Sequence, residues 1–141
     1  MEVQEFLSKQ NRPSIVFCNE LLVHHLNKKF ITVENSDILQ SGVLDKLETK
    51  YQGQYRVLVV TQFEFMRAID YRAPNLGIAL VIAKSFSNPR QAQQGLGRVG
   101  RNGDKAVRVI LKGVPLVDGD EDFKYRTSLN EYHSNTVAKT F

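Results

Sequence analysis

The sequence predicts an α/β protein in which a mostly parallel sheet carries helices on both faces. Short runs of β-branched and aromatic residues alternate with segments whose apolar residues recur every three or four positions, and this alternation indicates strands connected by helices. The strand-like runs are also apolar throughout rather than at every second residue. That pattern is expected of parallel strands that are covered on both faces.

Length and composition indicate one ordinary globular domain. The chain has 141 residues, of which 42% are hydrophobic and 24% charged, and this suits a single domain with its own core. No apolar run approaches the roughly 20 residues that cross a bilayer, and the acidic, polar beginning is not a signal peptide. The single cysteine, Cys18, excludes an internal disulfide. We therefore expect an intracellular protein of the cytoplasm or nucleus, not secreted and with no membrane partner.

The first quarter of the chain is predicted to hold a strand, a helix and a second strand. Residues 14–18 form a short apolar run that is typical of a buried strand. Asn19 can cap the helix that follows, in which apolar residues recur at four-residue steps over residues 22–30. The second strand is expected over residues 30–33.

Another helix is predicted to begin after a cap at Asn35. Leu39, Val43 and Leu47 recur at four-residue steps and would lie on one face of this helix. Gly42 falls inside it and lowers its helix propensity.

Three more strands are predicted in the second half of the chain. The strongest covers residues 56–61 and is followed by a turn or short helix through Met66. Residues 78–83 form the next, and Asn88 then starts a helix with a proline at its first position. The last core strand is expected over residues 107–111.

The domain is predicted to cover residues 1–117. Residues 118–141 are mostly polar, and we expect them to form a tail that holds at most one short helix, around residues 126–132.

A basic block lies between positions 90 and 112, although the net charge of the chain is only +4. Only Asp104 opposes its six cations, which are Arg90, Arg98, Arg101, Lys105, Arg108 and Lys112. A block of this kind can face a polyanion, either nucleic acid or the phosphates of a nucleotide. On charge alone, a solvated basic face is the simpler alternative.

Two arginines of this block belong to a glycine-rich segment, Q-G-L-G-R-V-G-R. If the helix begins near residue 89, Gln94, Arg98 and Arg101 are spaced i, i+4 and i+7 and share one face. The glycines would keep that face open to a bulky anion, and two guanidiniums a turn apart fit a phosphate chain. The alternative is a glycine-rich loop whose arginines are merely solvated.

This segment resembles motif VI of superfamily 2 helicases, whose pattern is Q-x-x-G-R-x-G-R. Residues 57–61, followed by R-A-I-D at 67–70, resemble motif V, and residues 14–18 resemble motif IV. The three occur in the family's order and together cover residues 12–112. The resemblance implies the second, RecA-like lobe of an ATP-dependent nucleic-acid helicase or translocase, with a three-layer fold.

The match to motif VI implies roles in ATP hydrolysis. Arg98 and Arg101 stand where the family has arginines that reach across the cleft between two lobes toward ATP. At least one of them would act as an arginine finger, which stabilises the charge on the transferred phosphoryl group. Gln94 stands where a polar residue couples the nucleotide site to the other lobe.

The match to motif V implies contacts with both ligands. Asp70 stands where a carboxylate approaches the ribose hydroxyls, and Arg67 where an arginine links the nucleotide state to the contacts between lobes. Ala68 replaces a glycine whose backbone approaches the nucleotide. Thr61 ends the strand at a position that commonly touches the phosphate backbone of the nucleic acid.

Half of an ATPase site is absent from the chain. No G-x-x-x-x-G-K-[ST] occurs, and no strand ends in an Asp-Glu pair that could hold magnesium. We therefore expect no ATP hydrolysis by this chain alone and no metal ligands in it. ATP and Mg²⁺ would be held by a P-loop lobe, supplied in cis or in trans, and the other partner would be RNA or DNA.

Two other functions fit the same residues. A non-catalytic RecA-like scaffold is favoured by departures from the family pattern at Gln62, Ala68 and Gly95. An isolated nucleic-acid binder would show an affinity that falls steeply with salt.

Overall fold

A sheet in which neighbouring strands run parallel forms the centre of the protein. The structure is a computed structural model that describes residues 2–67, 69–100, 103–119 and 136–140. The strands are β1 (Ser14–Phe17), β2 (Thr32–Glu34), β3 (Lys50–Tyr51), β4 (Gln54–Tyr55), β5 (Val57–Val60), β6 (Ile78–Ile82), β7 (Ala106–Ile110) and β8 (Thr136–Thr140). The α-helices are α1 (Glu2–Ser8), α2 (Glu20–Asn27), α3 (Glu64–Arg67) and α4 (Pro89–Leu96). The central sheet has the order β2-β5-β1-β6-β7-β8.

The predicted alternation of strands and helices is confirmed, together with the caps of two helices. Asn19 Oδ1 accepts a hydrogen bond from Leu22 N at 3.2 Å, and Asn88 Oδ1 accepts one from Gln91 N at 2.9 Å. Pro89 lies in the first turn of α4, where a missing N–H leaves no hydrogen bond unmade. Local sequence signals therefore place the starts of α2 and α4.

Side chains of the central strands alternate between two hydrophobic cores, one on each face of the sheet. In β5, Val57 and Val59 join the core that contains residues of α1 and α2, whereas Leu58 and Val60 join the core that contains residues of α3 and α4. The fold therefore has three layers, with helices on both faces of a parallel sheet. This confirms the predicted fold class.

The prediction of a helix after Asn35 is wrong. Two 3-10 turns, Asn35–Leu39 and Leu44–Lys46, take its place. Gly42 has φ +86°, which an α-helix cannot accommodate, and Leu39 is 58% exposed rather than buried. The apolar residues of this stretch recur at helical spacing, but they belong to two separate short turns and to the residues beside them. Ile38, Val43 and Leu47 pack into the core from there.

A small hairpin precedes β5 and was not predicted. β3 and β4 pair in antiparallel fashion, with Lys50 opposite Tyr55. Gln52 and Gly53 between them have φ values of 52° and 80°. Positive φ at both central residues is the geometry of a tight hairpin turn that matches the twist of its strands.

The predicted last strand, β7, has a further neighbour in the segment expected to be a tail. β8 pairs with β7 in parallel, with Thr136 opposite Ala106. The predicted short helix at residues 126–132 lies outside the described residues. Within the described part of the chain, no helix is long and apolar enough to span a bilayer.

Cys18 is expected to be chemically inert in the native protein. Its side chain is 0% exposed, and burial raises the pKa of its thiol to about 12, although the Lys84 charge acts in the opposite direction. Because the thiolate is the nucleophile, a disulfide reagent at mildly alkaline pH should label Cys18 only after unfolding in guanidinium chloride. Absorbance of the released reagent measures the labelling, and rapid labelling of the native protein would contradict this expectation.

Candidate functional site

Arg98 lies just beyond the end of α4, not on its face. The helix ends at Leu96, and Gly97 forms its C-cap. The Arg98 side chain is half-buried and folds back, so that its Nε donates to Gln94 O at 2.9 Å. The prediction of one helical face shared by Gln94, Arg98 and Arg101 is therefore wrong, because the helix ends before Arg98. Arg101 itself lies outside the described residues.

Gly95 is needed for packing, not to keep a surface open. A Cβ on Gly95 would lie 2.5 Å from Cε1 of the Phe86 ring. Phe86 is buried and stacks on Phe17, with ring centres 4.8 Å apart, and meets Phe63 edge to face at 6.0 Å. This ring has little room to move, so α4 can lie this close to Phe86 only because position 95 has no side chain. The prediction that Gly95 opens the face to an anion is corrected accordingly.

Arg108 does not belong to the basic surface that the charge pattern predicted. Its side chain is 1% exposed and points from β7 to the end of α4. Nε donates to Leu96 O at 2.9 Å, and Nη2 donates to Val99 O at 2.8 Å. The buried guanidinium therefore holds the backbone on both sides of Arg98. The carbonyl of Leu96 is one of those that the end of a helix leaves without an intrahelical partner, and Arg108 satisfies it.

The segment that follows α3 lies beside the segment that carries Arg98. Tyr71 N donates to Arg98 O at 3.0 Å. The Tyr71 ring is buried, which raises the pKa of its hydroxyl, and the hydroxyl donates to Phe65 O at 2.8 Å. Asp70, next to this anchored residue, is exposed. Two of the three motif segments are thus neighbours in space.

An ion pair that the sequence did not predict joins the chain near these two segments. Arg72 Nε and Nη2 donate to the two carboxylate oxygens of Asp104 at 2.9 and 2.8 Å. The Asp104 hydrogen bond and charge hold the pKa of Arg72 above its usual value. Asp104 stood out in the sequence as the single acid of the basic block, but no local pattern indicated Arg72 as its partner.

Two other residues, Arg67 and Ala68, were predicted from the resemblance to motif V. Arg67 is the last residue of α3 and is exposed. Ala68 lies outside the described residues.

Thr61 directly follows β5 and is held by two residues from elsewhere in the chain. Its backbone N–H donates to Asn35 Oδ1 at 2.9 Å, and its Oγ1 accepts from Asn35 Nδ2 at 2.9 Å. Lys84 lies two residues beyond the end of β6. Its Nζ donates to Thr61 O at 2.6 Å and lies 4.9 Å from the centre of the Phe17 ring. Thr61 is 9% exposed, and its backbone N–H, its carbonyl and its hydroxyl oxygen all have partners among the described residues.

Asn35→Ala is expected to destabilise the protein by about 2 kcal/mol, because it removes two hydrogen bonds and leaves alanine in a left-handed backbone. Asn35 has φ 42°, which asparagine tolerates better than alanine. Asn35→Asp is the matched control: it keeps the acceptor for Thr61 N and should lose less than half as much stability. Urea unfolding measures both, and equal losses would contradict this account.

Comparison of the chain with protein-family models, with curated proteins and with solved structures finds no match. Among the described residues, no group of three His, Cys, Asp or Glu side chains is placed to hold a metal ion.

Proposed function

We propose that this chain is the second RecA-like lobe of a superfamily 2 nucleic-acid helicase or translocase. One observation carries the proposal: the hydrogen bond from Tyr71 N to Arg98 O at 3.0 Å. It brings together two segments that resemble separate family motifs and lie far apart in sequence. The three-layer parallel fold, in which ligands commonly bind beyond the carboxyl ends of strands, supports the same function.

In this proposal Arg98 and Arg101 act on ATP that another lobe holds. The bond from Arg98 Nε to Gln94 O restricts the movement of the guanidinium, and its terminal nitrogens would contact the phosphate in the assembled site. A guanidinium stays protonated at working pH and offers a planar set of donors. Arg98 would therefore stabilise negative charge that develops on the transferred phosphoryl group.

The remaining residues would bind the nucleotide and the strand. Asp70 would accept hydrogen bonds from the ribose hydroxyls, which its exposed position allows. Gln94 and Arg67 would transmit the nucleotide state to the other lobe, and the backbone at Ala68 would approach the nucleotide. Thr61 would donate its hydroxyl hydrogen to a phosphate of RNA or DNA. Mg²⁺ would be held by the P-loop lobe.

Reconstitution tests this proposal. The chain would be combined with a P-loop lobe, taken from the same gene or from a protein that forms a stable complex with it, and ATP hydrolysis measured with and without single-stranded RNA or DNA. We expect neither half to hydrolyse ATP alone and the combination to do so, with stimulation by the strand. Hydrolysis by the P-loop lobe that this chain leaves unchanged would refute the proposal.

A non-catalytic scaffold is the second candidate, and the packing of Gly95 favours it. The contact with Phe86 explains this glycine without any ligand. A structure of the natural assembly separates the two functions. A P-loop facing Arg98 supports the enzyme, whereas a buried protein surface against Arg98 supports the scaffold.

A further inference from the structure

A cavity of about 260 Å³ lies at the edge of the sheet where the strands begin. Its walls are residues at the ends of α1 and α2, the first residues of β1 and β5, and the β3–β4 hairpin. The helices α1 and α2 cover the face of the sheet opposite to α3 and α4. The cavity is therefore separate from the segments that carry Asp70 and Arg98.

The charges around this cavity favour an anion. Arg12, Lys29 and Lys50 line it, and none of its lining residues, all of them described, is acidic. Within the described part of the chain, these three cations form no ion pair. The carboxyl ends of α1 and α2 oppose them with about half a negative charge each. Three full positive charges outweigh this, and the Leu26 carbonyl at the end of α2 already accepts from Phe30 N at 2.9 Å.

Two half-buried aromatic rings, those of Phe30 and Tyr55, line the same cavity. Lys50 Nζ lies 5.4 Å from the centre of the Tyr55 ring. Cations next to aromatic rings are the combination with which proteins hold single strands, because phosphates meet the cations and bases stack on the rings. The volume is below the roughly 300 Å³ at which pockets for drug-sized ligands begin, so it suits one base.

We propose that this cavity binds one nucleotide of a single strand. Its base would lie against Tyr55, and the phosphates on either side would contact Arg12, Lys29 and Lys50. A free mononucleotide offers the same ring and phosphate chemistry, and the experiment below separates the two sources. The proposal needs neither ATP hydrolysis nor a P-loop lobe, so it can fail or succeed independently of the proposed function.

Binding of fluorescent single-stranded DNA and RNA to this chain, measured by anisotropy without ATP, tests the proposal. The variant Arg12→Gln/Lys29→Gln/Lys50→Gln removes the cavity cations. The control Arg90→Gln/Lys105→Gln/Lys112→Gln removes the same charge from exposed positions elsewhere. We expect at least about tenfold weaker binding for the cavity variant and less than about threefold for the control. The slope of log K against log salt should become shallower by about 1.4 if two phosphate contacts are lost.

Tyr55→Leu keeps apolar bulk but removes the stacking face. It should weaken binding about fivefold or more while leaving the salt dependence unchanged. Displacement of the strand by AMP would identify a free nucleotide as the source of the ligand, and failure of AMP to compete would identify the strand. Thermal melts establish that each variant is folded. Equal losses in the cavity and control variants, or no binding by the wild-type chain at low salt, would overturn the proposal.

Discussion

Replacing Arg98 with alanine is expected to lower kcat for ATP about a thousandfold in the assembled two-lobe protein. In the proposed function, Arg98 places a fixed positive charge where negative charge develops on the transferred phosphoryl group, and alanine would remove it. Affinity for nucleic acid should change little, because the proposed contact with the strand lies with Thr61 rather than with Arg98. Steady-state ATPase assays at saturating strand and ATP measure the effect.

Arg90→Ala is the matched control for this variant. Arg90 lies on the same helix, α4, but at its exposed beginning, so its removal changes the charge equally without touching the end that carries Arg98. We expect little loss of kcat for Arg90→Ala and an intermediate loss for Arg98→Lys, which keeps the charge but not the planar fork. Similar rates for Arg98→Ala and Arg90→Ala would exclude a role for Arg98 in the chemical step.

Replacing Arg108 with methionine is expected to lower the free energy of unfolding by about 2 kcal/mol, because two carbonyls lose charge-assisted hydrogen bonds inside the protein. Methionine also removes a buried charge whose desolvation is unfavourable, and this gain offsets part of the stability lost with the hydrogen bonds. For a chain of this size, the melting temperature should fall by roughly 6 to 10 °C. Thermal and urea unfolding, monitored by circular dichroism, give both quantities.

The control for Arg108→Met is Arg90→Met, which makes the same exchange at an exposed position and should change stability by less than about 0.5 kcal/mol. A second consequence concerns the proposed site. Because Arg108 holds the backbone at Leu96 and Val99, its loss should also reduce ATPase activity of the assembled protein at temperatures where the variant is folded. Unchanged stability would mean that other contacts hold the end of α4.

Much of the architecture could be predicted because it depends on short-range signals. The caps at Asn19 and Asn88 and the wholly apolar strands β5 and β6 were all visible in the sequence. Each rests on residues within a few positions of one another, so a local pattern suffices. The same is true of the proline that begins α4.

Several failures involve residues that are distant in the chain. Asn35 is held in a left-handed conformation while it bonds to Thr61, 26 positions away, and this replaces the expected helix by a turn. The link between Tyr71 and Arg98 and the ion pair between Arg72 and Asp104 also join separate segments. The pattern of residues in one segment does not show which residue of another segment will be its hydrogen-bond or ion-pair partner.

The sequence by itself determined the class of fold, the central strands β1, β5, β6 and β7 with the helices α2 and α4, and the set of residues that resemble helicase motifs. The tertiary structure decided which of those residues are surface groups and which are internal. From the sequence, Arg108 was predicted to lie on a basic surface and Gly95 to keep a phosphate site open. In the structure, Arg108 is buried and holds the end of α4 by hydrogen bonds, and Gly95 leaves room for the Phe86 ring. Close packing of segments that are distant in the chain determines what each residue contacts, and no local pattern contains that information.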